Sequence, residues 1–82
     1  MAYEISIKGT AEEALGKVSV EEQKLILDKI SDLAINPRPA DHQTVPESTP
    51  GLFFVYEGSF QITYRILDND LLIEIVFIRD IE

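Results

Sequence analysis

Cysteine is absent from the 82 residues, which removes disulfide scaffolds, Cys-ligated zinc and a thiol nucleophile together. Long apolar runs are missing too. Leu71-Leu72-Ile73 is cut by Glu74, far short of the roughly 20 apolar residues that cross a bilayer. The start, Met1-Ala2-Tyr3-Glu4-Ile5, has no basic region leading into an apolar stretch, so no signal peptide is expected and the cytoplasm is the expected location. There is no phosphate-cradling glycine loop and no grouping with metal-ligand spacing, so neither a metal nor another cofactor is expected.

Cations are scarce. Lysine and arginine total 7 against 15 acidic residues, a net charge of −8. Nucleic-acid binding draws most of its affinity from cations that neutralise phosphates, so the balance disfavours direct nucleic-acid binding unless the few cations converge on one face. The same charge also keeps a protein soluble. What is present in quantity, 45% apolar and 27% charged residues, is the balance of an ordinary globular chain. The length suits one domain over residues 1–82, with a modest core.

Tyr3 to Lys8 alternates apolar and polar, which reads as a half-buried strand closed by Gly9. Thr10-x-x-Glu13 reads as a capping box opening a short helix that Gly16 interrupts, and Ser19-x-x-Glu22 as a second box opening a longer one. In that longer helix Ile26, Ile30 and Leu33 recur on one side, flanked by Leu27 and Ala34, with Lys24, Asp28 and Asp32 on the wet side. Asn36-Pro37 stops it, because a residue before proline is pushed out of the α region. The stretch from Pro37 to Gly51 reads as a loop, either a rigid connection or a functional segment. Three strands follow, over Leu52–Glu57, Phe60–Leu67 and Leu71–Arg79, with turns at Gly58-Ser59 and Asp68-Asn69-Asp70. The expected fold is therefore α+β: an αα-hairpin packed on a twisted antiparallel sheet, in the order β-α-α-β-β-β.

Strand alternation sorts side chains between the helix-covered face and an open one. Tyr3, Ile5 and Ile7 are expected inward, as are Phe60, Ile62, Tyr64 and Ile66, leaving Gln61, Thr63 and Arg65 outside. In the last strand Leu71, Ile73, Ile75 and Phe77 are expected inward, and Leu72, Glu74, Val76 and Ile78 outward. The strand Leu52–Glu57 has apolar residues on both sides, and its facing stays open. An apolar patch on the open face would mark a partner surface, or would merely cover strand neighbours.

The order β-α-α-β-β-β, the Asn36-Pro37 stop and the run Leu52-Phe53-Phe54-Val55-Tyr56-Glu57-Gly58-Ser59-Phe60-Gln61-Ile62-Thr63-Tyr64 resemble the RelE/ParE toxins of type II toxin–antitoxin systems. The acidic turn at Asp68-Asn69-Asp70 and the ending Ile78-Arg79-Asp80-Ile81 fit the same pattern. The resemblance implies an antitoxin partner whose extended segment wraps the toxin. It also implies either ribosome-dependent mRNA cleavage or inhibition of gyrase. RelE-type cleavage uses basic and aromatic side chains on the open sheet face to place the RNA and stabilise phosphorane charge, work suited to Arg and Lys.

Set against that pattern, Phe54, Tyr56 and Gln61 stand where arginines are expected, and Gln43 to Glu47 carries none of the usual lysines. Glu82 falls about where a tyrosine is expected. Arg79 matches the family within one residue, and Arg65 belongs to the same face. The leading expectation is a toxin-like protein that works by protein binding, to an antitoxin protein or peptide or a gyrase-like target, through Phe54, Tyr56, Gln61, Val76 and Ile78, with strand addition at a sheet edge as one mode. A ribosome-directed endonuclease with a reduced set of Arg65, Arg79, His42 and Tyr56 is the alternative. His42 would serve there as acid or base and Tyr56 as proton donor, while Arg65 would otherwise pair across strands with Glu74. A toxin fold without toxicity is the third.

Overall fold

A computed structural model describes residues 2–44 and 51–81. Strand β1 (Glu4–Ile7) leads into helices α1 (Gly9–Leu15) and α2 (Val20–Ile35), and then come β2 (Gln43–Thr44), β3 (Leu52–Glu57), β4 (Phe60–Leu67) and β5 (Leu72–Asp80). The strands form one sheet in the order β1-β5-β4-β3-β2. The α+β architecture, with both helices on one face, is as expected. The short β2 lies within the expected loop, of which residues 45–50, including Pro46 and Pro50, fall outside the described residues.

An all-antiparallel sheet was expected, and here the structure differs: β1 runs parallel to β5, with Ile5 opposite Ile73 and Ile7 opposite Ile75. The reason is a matter of counting. Helix α2 brings the chain back to the end of the sheet where β1 begins, as the hydrogen bond from Tyr3 N to Ala34 O at 2.7 Å records. A meander of three strands starting from that end finishes in the direction in which it started, alongside β1. The sheet is therefore mixed, antiparallel through β2, β3, β4 and β5.

Local chemistry explains the helix ends. Ser19 Oγ accepts from Glu22 N and Glu22 Oε1 accepts from Ser19 N, both at 3.1 Å, so the second capping box forms as read. The first does not: α1 begins at Gly9 with Lys8 as its N-cap. Thr10 is already inside the helix, and its hydroxyl donates instead to the Val76 carbonyl at 2.8 Å. Helix α2 stops at Ile35 before Asn36-Pro37. Ile26, Ile30 and Leu33 are buried against Val55, Ile62, Tyr64, Ile73 and Ile75, each contributing about 1.5–3 kcal/mol relative to exposure. Leu27, read as flanking that apolar side, is exposed instead. Gly58 turns β3 into β4 with φ of 60°, a conformation that costs glycine nothing.

Strand β5 departs from simple alternation. Thr63 pairs with Phe77 and Tyr64 with Ile75, so Val76 is an extra residue on β5, a β-bulge. Before it, Ile73 and Ile75 face the helices as expected. After it the facing is inverted. Ile78, expected on the open face, lies opposite Ile62 and is 7% exposed, whereas Phe77, expected in the core, is 50% exposed. The Val76 carbonyl is the one that Thr10 caps, which ties the bulge to the start of α1.

Candidate functional site

Pairing settles the facing of β3. Val55 lies opposite the fully buried Ile62, so Phe53 and Val55 face the helices, and Leu52, Phe54 and Tyr56 face the other way. No helix covers that second face among the described residues. Its side chains fall into cross-strand rows. One row is Tyr56–Gln61–Arg79; the next is Gln43–Phe54–Thr63–Phe77; a third is Leu52–Arg65–Glu74–Ser6. The Phe54 and Tyr56 rings meet edge to face, with centroids 5.6 Å apart, a favoured aromatic geometry.

The cations of this face are largely neutralised. Glu74 Oε2 lies 3.0 Å from Lys8 Nζ, and its Oε1 lies 3.6 Å from Arg65 Nη1. The Glu74 side chain is only 13% exposed, so one carboxylate holds two cations at the sheet surface. Arg65 Nε is buried without a hydrogen-bond partner among the described residues, an unmet donor that costs stability. Arg79 remains, exposed and with no ion pair among the described residues, at the end of the row that carries Tyr56.

The residues singled out in the sequence are thus only partly brought together. Phe54, Tyr56, Gln61, Arg65 and Arg79 share the open face. Val76 sits at the bulge, and Ile78 is in the core. His42 is elsewhere: its ring packs edge-on against Phe53, on the helix-covered side, with centroids 5.6 Å apart. Its Nδ1 donates to the Pro39 carbonyl at 2.7 Å, so that nitrogen is spent on holding the loop. The outward facing of Phe77 is not encoded locally, because Ile75-Val76-Phe77-Ile78 is apolar at every position and such a run carries no alternation that would reveal a bulge.

At one end of the sheet lies a polar cluster that the sequence did not suggest. Asp68 accepts from Tyr3 Oη at 2.7 Å and from Arg38 Nη2 at 3.0 Å. These bonds, Arg38 first, hold the Asp68 carboxyl below the usual aspartate range and, through Asp68, push the Tyr3 hydroxyl up. Arg38 also stands over the Phe53 ring, 5.7 Å from its centroid. Beneath it the buried Tyr64 donates to the Pro37 carbonyl at 2.7 Å, and burial pushes its hydroxyl up to about 12. Tyr64 therefore stays protonated and ties the end of α2 to the sheet. Among the described residues no group of acidic or histidine side chains has the geometry to hold a metal ion, and no helix is long and apolar enough to cross a membrane.

No family model matches this sequence, and no curated protein does. Solved structures do. A chain of the toxin–antitoxin complex RelBE2 from Mycobacterium tuberculosis superimposes with a TM-score of 0.86 over 98% of this chain and 99% of that one, at 20% identity. The fold is that of the RelE toxins. A chain of the archaeal RelE–RelB complex from Pyrococcus horikoshii gives a TM-score of 0.85 at 21% identity, covering 99% of this chain and 97% of that one. The isolated E. coli RelE toxin gives 0.84 at 13% identity, over 99% and 86%. At these identities the likeness is one of fold, and the open face of this RelE-like sheet has to be read from its own residues.

Proposed function

We propose that this chain is a toxin-like component of a toxin–antitoxin pair that acts by binding a protein through the open face of its sheet. The observation that carries the reading is the composition of that face. Phe54, Tyr56 and Phe77 occupy its two adjoining rows, and Glu74 has already engaged Lys8 and Arg65. Buried aromatic anchors dominate protein interfaces, whereas charge developing on phosphate oxygens is stabilised by cations aimed at them, and two of the cations of this face are held by Glu74. The similar structures from M. tuberculosis and P. horikoshii were solved as toxin–antitoxin complexes, which supports an antitoxin as the partner class and leaves a gyrase-like target as the second.

The test is recovery of the partner from cells of the source organism on immobilised protein, followed by the same capture with Phe54→Ala, Tyr56→Ala and Phe77→Ala combined. The triple variant should keep the circular dichroism spectrum and lose the partner, weakening it by about tenfold or more per anchor removed. Undiminished capture by the folded variant would remove the open face from the account. One observation favours a second reading, ribosome-directed RNA cleavage: Tyr56, Gln61 and the exposed Arg79 share one row. In that reading Arg79 would carry the phosphate charge and Tyr56 would donate a proton.

A further inference from the structure

A second surface lies on the helix-covered side, away from the open face. Two hollows flank Phe60 at the edge of the core. One, about 140 Å³, is floored by Ile26 and Phe60 and rimmed by Glu22, Leu25 and Glu57. The other, about 250 Å³, lies between the end of α1 and the end of β5, walled by Phe60, Val18 and Ile78. Both are below the roughly 300 Å³ at which small-molecule sites begin. A cavity of about 150 Å³ does accept a group the size of a benzene ring, so each hollow is scaled to one large apolar side chain.

Charge decides what would bring those side chains. Glu22, at the rim, gives one oxygen to the Ser19 amide, and no ion pair among the described residues engages Glu22 or Glu57. Lys17 is the one cation lining either hollow. Between Gly9 and Ile35 there are six carboxylates against three lysines, so the two helices are acidic overall. Leu25 on the rim is 54% exposed, an apolar side chain that a partner would cover.

We propose that the groove beside Phe60, between α2 and the β3–β4 turn, takes a basic amphipathic segment of a protein partner. Two apolar side chains of that segment enter the hollows, and its lysines or arginines lie against Glu22 and Glu57. Opposite charges across such a rim steer encounter and fix register. The surface is distinct from the aromatic open face and stands whether or not that face binds a partner.

The test uses the full chain and two synthetic peptides, a helical-period leucine–lysine peptide and its leucine–glutamate counterpart, with binding followed by fluorescence anisotropy. The lysine peptide should bind, more weakly as salt is raised, and the glutamate peptide should not. Glu57→Lys, at the end of β3, and Leu25→Ser, at an exposed position of α2, should each weaken it by about tenfold, and Phe77→Ser should leave it unchanged. Equal binding of both peptides, or of the lysine peptide by folded Glu57→Lys and wild type, would overturn the proposal. Loss of binding in Phe77→Ser alone would also overturn it, by placing the peptide on the open face, and would leave the open-face reading intact.

Discussion

Asp68 shows how much of a site can be assembled from residues that have no relation in sequence. Its two donors come from Tyr3, at the start of the chain, and Arg38, just past the end of α2. The Ser19–Glu22 box was legible because both partners lie within one helical turn, whereas the Asp68 cluster depends on three elements meeting, and nothing in the local pattern encodes that. Because Asp68 is held below its ordinary value of 3.8 in the folded state, its contribution to stability is fully present above 3.8 and is lost as pH falls through the lowered folded value. Tyr3 gives the opposite limb: its folded value is raised, so that contribution is present below 10.0 and fades as pH rises beyond it. Urea midpoints measured against pH should therefore show wild type above Asp68→Asn at neutral pH, with the gap closing at acid pH below 3.8. A gap that widened on acidification would contradict the assigned hydrogen bonds.

At the scale of the element, β5 separates what the sequence revealed from what it did not. The inward set of β4, Phe60, Ile62, Tyr64 and Ile66, was legible because Gln61, Thr63 and Arg65 alternate with it. In β3 both parities are apolar, and only pairing against β4 resolves them. In β5 the bulge at Val76 inverts the facing beyond it, so Ile78 and Phe77 exchange the roles expected of them. Stability measurements can check this directly. Ile78→Ala should cost about 2–5 kcal/mol, as for buried large-to-small changes, and Phe77→Ala within about 0.5 kcal/mol, as for a surface change. The reverse ranking would mean that β5 alternates without interruption. The parallel pairing of β1 was likewise hidden in the local pattern, since it follows from the number of strands in the meander.

Over the whole molecule, an acidic chain carries a RelE-like fold whose open face is aromatic and whose cations are mostly tied up. Lys29 pairs with Asp41 and Arg38 with Asp68, both at 3.0 Å, while Lys8 and Arg65 share Glu74. With a net charge of −8, the long-range field repels a phosphate backbone. A surface of this kind suits a protein partner, and the acidic groove beside Phe60 extends that preference to a basic one. Contact with protein in place of RNA chemistry can be tested by inducing the chain in bacterial cells and following mRNA integrity at translating ribosomes. Intact mRNA is expected whether or not growth slows. Cleavage at the ribosome that disappears in Arg79→Ala would contradict it and would make the row of Tyr56, Gln61 and Arg79 a nuclease site.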